Sequence, residues 1–206
     1  MLEETKKTID FIEYLEGLKL ELRHTWLSND RRESVAEHSW RMSVMALIIA
    51  PKTKLALNME KILKMTAIHD IAEIETGDVP ASVHLIDEKI ANKKAIDEIH
   101  AMEIVRKLMN DESGEELYEL WHEFEEQITN ESKFVKIIDK FEAVIQKYQT
   151  GYESFKRQDE LGKYGVPGYL EKLEEMCKID DYLMKILHDL VERRKNIKAD
   201  RISRLN

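Results

Sequence analysis

The sequence predicts an all-α protein, and three observations carry that expectation. Only seven glycines and three prolines interrupt 206 residues, and Leu, Glu, Lys, Ile and Met, all compatible with helices, recur throughout. Apolar residues return at helical spacing almost everywhere, while no segment alternates cleanly with period two. With 43% hydrophobic and 35% charged residues the chain can bury one good core, so a single domain over residues 1–206 is expected.

Phe11, Leu15, Leu18 and Leu22 line a first helix, and the polar segment Ser28 to Glu33 separates it from a second. The second runs from about Ser34 to Ala50 and is stopped by Pro51. On it His38 lies one turn after Val35 and one turn before Met42, on a stripe that continues through Met45 and Ile49, so it should face inward. Asn58 is the expected N-cap of a third helix, which carries Ile62, Met65, Ile68 and His69 and should end near Thr76-Gly77. There Glu73 is one turn from His69 and three residues from Asp70, so the three side chains can converge.

Pro80 follows in a short loop, and a long helix is expected from about Asp87 to Met109. Leu117, Leu120, Trp121, Phe124 and Ile128 share a helical register in the next. The helix after that presents Phe134, Val135, Ile138, Phe141 and Ile145, with Asp139 at the edge of that stripe and directed inward. Gly162, Gly165, Pro167 and Gly168 mark a loop before the last helices, which use Leu170, Leu173, Met176, Leu183, Leu187 and Leu190. The basic tail from Arg193 to Arg204 reads as a solvated helix end.

Charge and hydropathy remove several function classes. A formal net charge of −9 argues against a nucleic-acid polymer as partner, because such binding rests on clustered Lys and Arg, but a small anion needs only one or two placed cations, a metal or a helix N-terminus. The longest apolar run, Val44 to Ala50, is far short of the about 20 residues that cross a bilayer, so no membrane span is expected. Met1 to Lys7 lacks the features of a signal peptide, and Cys177 stands alone, which together point to the reducing cytoplasm.

The chemistry lies in three places: His38, the pair His69-Asp70 inside Ile68-His69-Asp70-Ile71-Ala72-Glu73, and Asp139. Burying an unpaired carboxylate costs several kcal/mol, so a sequence that places one in an apolar helix usually gives it a cation or a dense hydrogen-bond network. One histidine on an apolar face is ordinarily a satisfied core or surface residue; four such groups on three inward faces are hard to explain separately. Two imidazoles and two carboxylates suit one divalent ion of the Mn, Co, Fe or Zn class, with open positions for water and a substrate oxygen. Glu73, one turn from the ligands, could take or relay a proton.

With those residues in place the chain resembles the HD-domain superfamily, whose metal motif is His, His-Asp, Asp, and so an HD-type helical bundle with the metal between core helices. The metal-binding core would span about residues 34–148, with C-terminal helices over about 168–196 packing on it. Glu33 to Ser39, His69 to Glu73, Thr76 to Pro80, Lys133 to Lys140 and the Glu-Leu-Tyr-Glu-Leu-Trp stretch at 116–121 are similar to the branch of 5′-deoxynucleotidases that hydrolyse deoxyribonucleoside monophosphates.

The resemblance implies that His38, His69, Asp70 and Asp139 ligate the metal, that Glu73 handles the attacking water, and that Asp78 lies beside the sugar, with Pro80 close by in the substrate site. A carboxylate against C2′ would reject a ribose hydroxyl and accept deoxyribose. Arg23 and Trp26 stand where the family orients phosphate and base, and Arg31 or Arg32 are alternatives for the phosphate clamp. His84, His100 and His122 lie where some relatives hold a second metal, but their polar surroundings read as surface, as does His188, whereas His24 adjoins the phosphate position. The family also implies a homodimer, for which the C-terminal apolar stripes are the expected interface. Another phosphoester specificity (nucleoside triphosphate, cyclic nucleotide or ribonucleotide) and a non-catalytic nucleotide-binding module remain as alternatives.

Overall fold

A computed structural model describes residues 2–79, 87–150 and 168–205. Pro80, His84, Gly162, Gly165 and Pro167 therefore lie outside the described residues. Helix α1 (Leu2–Tyr14) and the single turn α2 (Gly17–Leu20) lead into a two-stranded antiparallel hairpin, β1 (Leu22–Trp26) and β2 (Arg32–Ser34). Helices α3 (Val35–Ile49), α4 (Met59–Ile68), the short α5 (Glu73–Thr76), α6 (Glu88–Met109), α7 (Glu112–Glu126) and α8 (Asn130–Gln149) follow. Helices α9 (Tyr169–Cys177) and α10 (Asp181–Leu205) close the described chain.

Local chemistry sets these boundaries. Ser34 caps α3 in a capping box, its hydroxyl accepting from the Glu37 amide while the Glu37 carboxylate accepts from the Ser34 amide. Asn58, Asp87, Asp111 and Thr129 cap α4, α6, α7 and α8 through side-chain oxygens. Left-handed Asn110 and Gln127, with φ of 49° and 52°, end α6 and α7. The Gln127 turn carries Ile128 off the α7 register, leaving it 68% exposed rather than on the apolar stripe.

Around α3, α4, α7 and α8, which pack on one another, lies the core: Val35, Met42, Ile62, Met65, Phe124, Phe134, Ile138 and Phe141 are all buried. Helices α9 and α10 pack on each other and on α8, and their stripe is spent in this core, with Leu173, Leu183, Leu187 and Leu190 buried. No helix among the described residues is long and apolar enough to cross a membrane.

The N-terminal region departs from the expected long first helix. Gly17 packs so closely on α5 that a Cβ there would lie 2.6 Å from Ile74 Cγ2. The backbone of Glu21 then turns extended, and its carbonyl accepts from the Val35 amide at 3.1 Å. Leu22 is consequently the first strand residue and is 40% exposed. A second departure lies in the third predicted helix, which breaks between α4 and α5. Across the break the amides of Ile71, Glu73 and Ile74 bond to carbonyls three residues back, tightening the chain so that side chains at i and i+3 eclipse.

Candidate functional site

The break delivers His69 and Asp70 at the end of α4 and Glu73 at the start of α5, facing His38 of α3 and Asp139 of α8. His69 Nε2 lies 3.1 Å from Asp70 Oδ2, and His38 Nε2 lies 3.3 Å from Asp139 Oδ1 and 3.8 Å from Asp70 Oδ2. The two imidazole centroids are 5.4 Å apart. One donor atom each from His38, His69 and Asp139 falls within 4.8 Å of the others, a spacing that one ion can bridge.

The hydrogen bonds behind the rings support a fit to metal. His69 Nδ1 lies 3.0 Å from the carbonyl of Thr66, which can only accept, so Nδ1 carries the proton and Nε2 presents its lone pair. His38 Nδ1 lies 2.6 Å from Glu142 Oε2, the carboxylate-to-imidazole backing that orients metal-binding histidines. Both Nε2 atoms are buried and lack a hydrogen-bond partner. Buried donors and acceptors are almost always satisfied, so two orphaned imidazole nitrogens flanked by carboxylates describe a seat for a cation.

The electrostatics agree. Burial and Arg23 push the His38 imidazolium down, yet Asp139 and Glu142 more than offset them and carry it up to about 9, the mark of surroundings that favour a cation. Against the same burial, Asp70 is held below the carboxylate range by His69 and His38, and Asp139 by Lys140 and His38. Glu73 goes the other way: burial, then Asp70 and Asp78, raise its carboxyl well above its ordinary value, and its Oε2 is buried without a partner.

Around the cluster the hairpin supplies a polar wall. Arg23 Nη1 bridges Glu33 and Glu142 at 3.0 and 3.1 Å, which ties β1, β2 and the carboxylate behind His38 together. Glu33, His38 and Glu142 form a second group of metal-ligand type, but its cation is this guanidinium. Arg41 also pairs with Glu142. Of the three arginines weighed for phosphate, only Arg23 adjoins the cluster: Arg31 pairs with Glu37 on the surface, and Arg32 donates to the Leu22 and Arg23 carbonyls. Asp78 is half-buried, its Oδ2 accepting from the His24 amide at 2.9 Å and lying 3.0 Å from His24 Nδ1. Trp26 is partly buried at the end of β1, and its carbonyl accepts from Gln146 at 2.7 Å. His100, His122 and His188 are exposed.

Three residues near the cluster escaped the sequence reading. Glu142 stands three residues after Asp139 and is fully buried, a charged residue beside Phe141 that could have been noticed. Lys94 of α6 pairs with Glu98, and its charge acts on Glu73 and Asp70. Lys147 lies two turns beyond Lys140 on α8. Nothing in their spacing distinguishes the two lysines from solvated helix residues.

Fold and cluster together define a class: a helical bundle that gathers His, His-Asp and Asp side chains at one metal-sized point. The HD domain family matches residues 15–164, more than half of the chain, and the chain belongs to that family. Among curated relatives, the 5′-deoxynucleotidase HDDC2 of Xenopus laevis is 33% identical over 156 residues, covering 74% of this chain and 73% of that protein. HDDC2 of Homo sapiens is 29% identical, covering 83% and 85%. A crystal structure described as a predicted metal-dependent phosphohydrolase from Magnetospirillum magnetotacticum superposes with a TM-score of 0.80 at 25% identity, covering 95% of this chain and 94% of that one.

Proposed function

We propose that this chain, as a single HD domain over residues 1–206, is a metal-dependent phosphohydrolase that releases phosphate from deoxyribonucleoside 5′-monophosphates. The single observation that carries the reading is the pair of buried, unpartnered imidazole nitrogens of His38 and His69 beside Asp70 and Asp139. The relatives named 5′-deoxynucleotidase support the substrate class.

His38, His69, Asp70 and Asp139 would hold one divalent ion of Mn, Co, Fe or Zn, which when bound supplies Lewis-acid polarisation of the phosphate and of water. Glu73, buried one turn from His69, holds or moves the proton of the attacking water. Arg23 orients the phosphate while Glu33 and Glu142 fix its guanidinium. Asp78, anchored by His24, faces the sugar and disfavours a 2′-hydroxyl, and Trp26 completes the described part of the substrate site.

The protein acts in the cytoplasm as a homodimer in this reading. The C-terminal stripe cannot supply the interface, because it is buried in the chain's own core. Helix α3 instead leaves Trp40, Val44, Leu47 and Ile48 exposed along one side, and this face is assigned to the second copy.

The test is phosphate release from paired ribo- and deoxyribonucleoside 5′-monophosphates by metal-stripped protein reconstituted with each ion, with Asp139→Asn as control. Turnover of the deoxy members alone, absent from the control, is expected. Silence across the panel would sink the substrate assignment.

A further inference from the structure

Strand β1 carries Arg23, His24 and Trp26, yet little within the hairpin holds it in place. Among the described residues it pairs only with β2, at Leu22–Ser34 and Trp26–Arg32, with an irregular register between those pairs. A lone two-stranded hairpin is marginal in water, so the position of β1 depends on what it packs against, and that is α8. Arg23 reaches Glu142 there at 3.1 Å. One turn further along α8, the side-chain amide of Gln146 donates to the Trp26 carbonyl at 2.7 Å.

Gln146 is 2% exposed, and its amide has one permitted orientation. Arg41 Nη1 lies 2.5 Å from Gln146 Oε1, and a guanidinium can only donate, so the amide oxygen faces Arg41. The amide nitrogen then faces the Trp26 carbonyl, which can only accept. Arg41 is itself held: Nη1 also donates to Gln149 Oε1 at 2.8 Å, and Nη2 pairs with Glu142. One guanidinium on α3 thus orients both the carboxylate behind His38 and the amide bonded to the Trp26 backbone. An apolar side chain of similar length would fill the same space without the cost of burying an amide. What the amide adds is direction, fixing the end of β1 relative to Asp139, two turns back on α8.

We propose that Gln146 is a positioning residue for the nucleoside end of the substrate, its amide, turned by Arg41, seating Trp26 over the site. This rests on the phosphohydrolase reading above, which assigns Trp26 to the substrate site, and adds to it the device that sets Trp26 in place.

Gln146→Glu keeps an acceptor for Arg41 but turns a second acceptor toward the Trp26 carbonyl, and Gln146→Met keeps the length and removes both bonds. Deoxyadenosine, inorganic phosphate and the metal alone would each be titrated into the full chain as wild type and as each variant, with deoxynucleotide hydrolysis measured in parallel. Both variants should weaken deoxyadenosine about tenfold and raise KM to match, while kcat, phosphate affinity and metal affinity hold within about twofold. In a Trp26→Ala background Gln146→Glu should cost no further deoxyadenosine affinity, because the glutamine acts through the indole. Unchanged deoxyadenosine affinity in both variants, parallel losses of all three ligands, full additivity with Trp26→Ala, or no deoxyadenosine binding by the wild type would each overturn the proposal. Deoxyadenosine binding that depends on Gln146 in a wild type that hydrolyses no deoxynucleotide would uphold the positioning role and sink the substrate reading. Deoxynucleotide hydrolysis with a KM indifferent to both variants would do the reverse.

Discussion

His38 Nδ1 stands 2.6 Å from Glu142 Oε2, and both side chains are wholly buried. The contact turns the other imidazole nitrogen, Nε2, toward Asp70 and Asp139. Glu142→Gln keeps the shape and removes the charge, and should weaken metal affinity by about 10- to 100-fold, read by competition with a chromophoric chelator. Glu142→Leu also strips Arg23 and Arg41 of a buried counter-ion, and should cost roughly 3–5 kcal/mol in a denaturant titration.

Asp78 depends on His24 for its orientation, through the amide at 2.9 Å and the ring at 3.0 Å. Asp78→Ala should lower the preference for deoxy over ribo substrates by about 10- to 100-fold in kcat/KM. His24→Ala leaves the amide contact and should lower it by a smaller factor, about threefold, with activity on deoxynucleotides largely kept. An unchanged ratio in both variants would remove Asp78 from the sugar.

Glu37 ties the start of α3 to acid stability. Its carboxyl is held down to about 2, first by Arg31, against burial, and then by Ser34. A depressed folded-state value means that its stabilisation is complete above the unfolded value of about 4.3 and is lost as pH falls toward 2. Glu37→Gln should therefore flatten the acid limb of a melting-temperature profile between about pH 5 and 2. Ser34→Ala, which removes the cap itself, should cost about 1 kcal/mol near neutrality.

Cys177 is inaccessible, and burial, with Glu174, pushes its thiol up to about 12. The thiolate is the reactive form, so the native protein should resist a thiol reagent at pH 8 and react stoichiometrically once denatured. Rapid labelling of the native chain would show that α9 detaches from the core.

Gly114 is in the first turn of α7, where an added Cβ would sit 2.8 Å from the Arg106 carbonyl oxygen and 3.0 Å from Met109 Cβ. Helix propensity alone favours alanine by about 1 kcal/mol. Because backbone cannot move aside as a flexible side chain does, Gly114→Ala should instead destabilise by roughly 1–3 kcal/mol in chemical denaturation.

Much of the cluster's convergence was legible because helices translate spacing into direction: Val35, His38 and Met42 predict an inward His38, and all three are buried. Asn58 was legible as a cap for the same local reason. The hairpin was not, because β1 is five residues long with only Thr25 buried, too short to show a period. Nor was the break after Ile68, since tightened turns leave the apolar stripe intact. Lys147 and Lys94 look like any solvated lysine until tertiary packing surrounds them with charge. What the stripe on the C-terminal helices packs against was hidden for a related reason: a stripe read along one helix does not reveal whether its partner is another segment of the same chain.

Arg23 joins the hairpin to the carboxylate that backs His38, so the two cannot be perturbed independently. Whatever tightens the grip of Glu142 on the imidazole also bears on how firmly the β1–β2 flap sits, and the coupling must run equally in both directions. Trp26, at the far end of the same strand, lies on the element that this coupling ties to the His38 cluster.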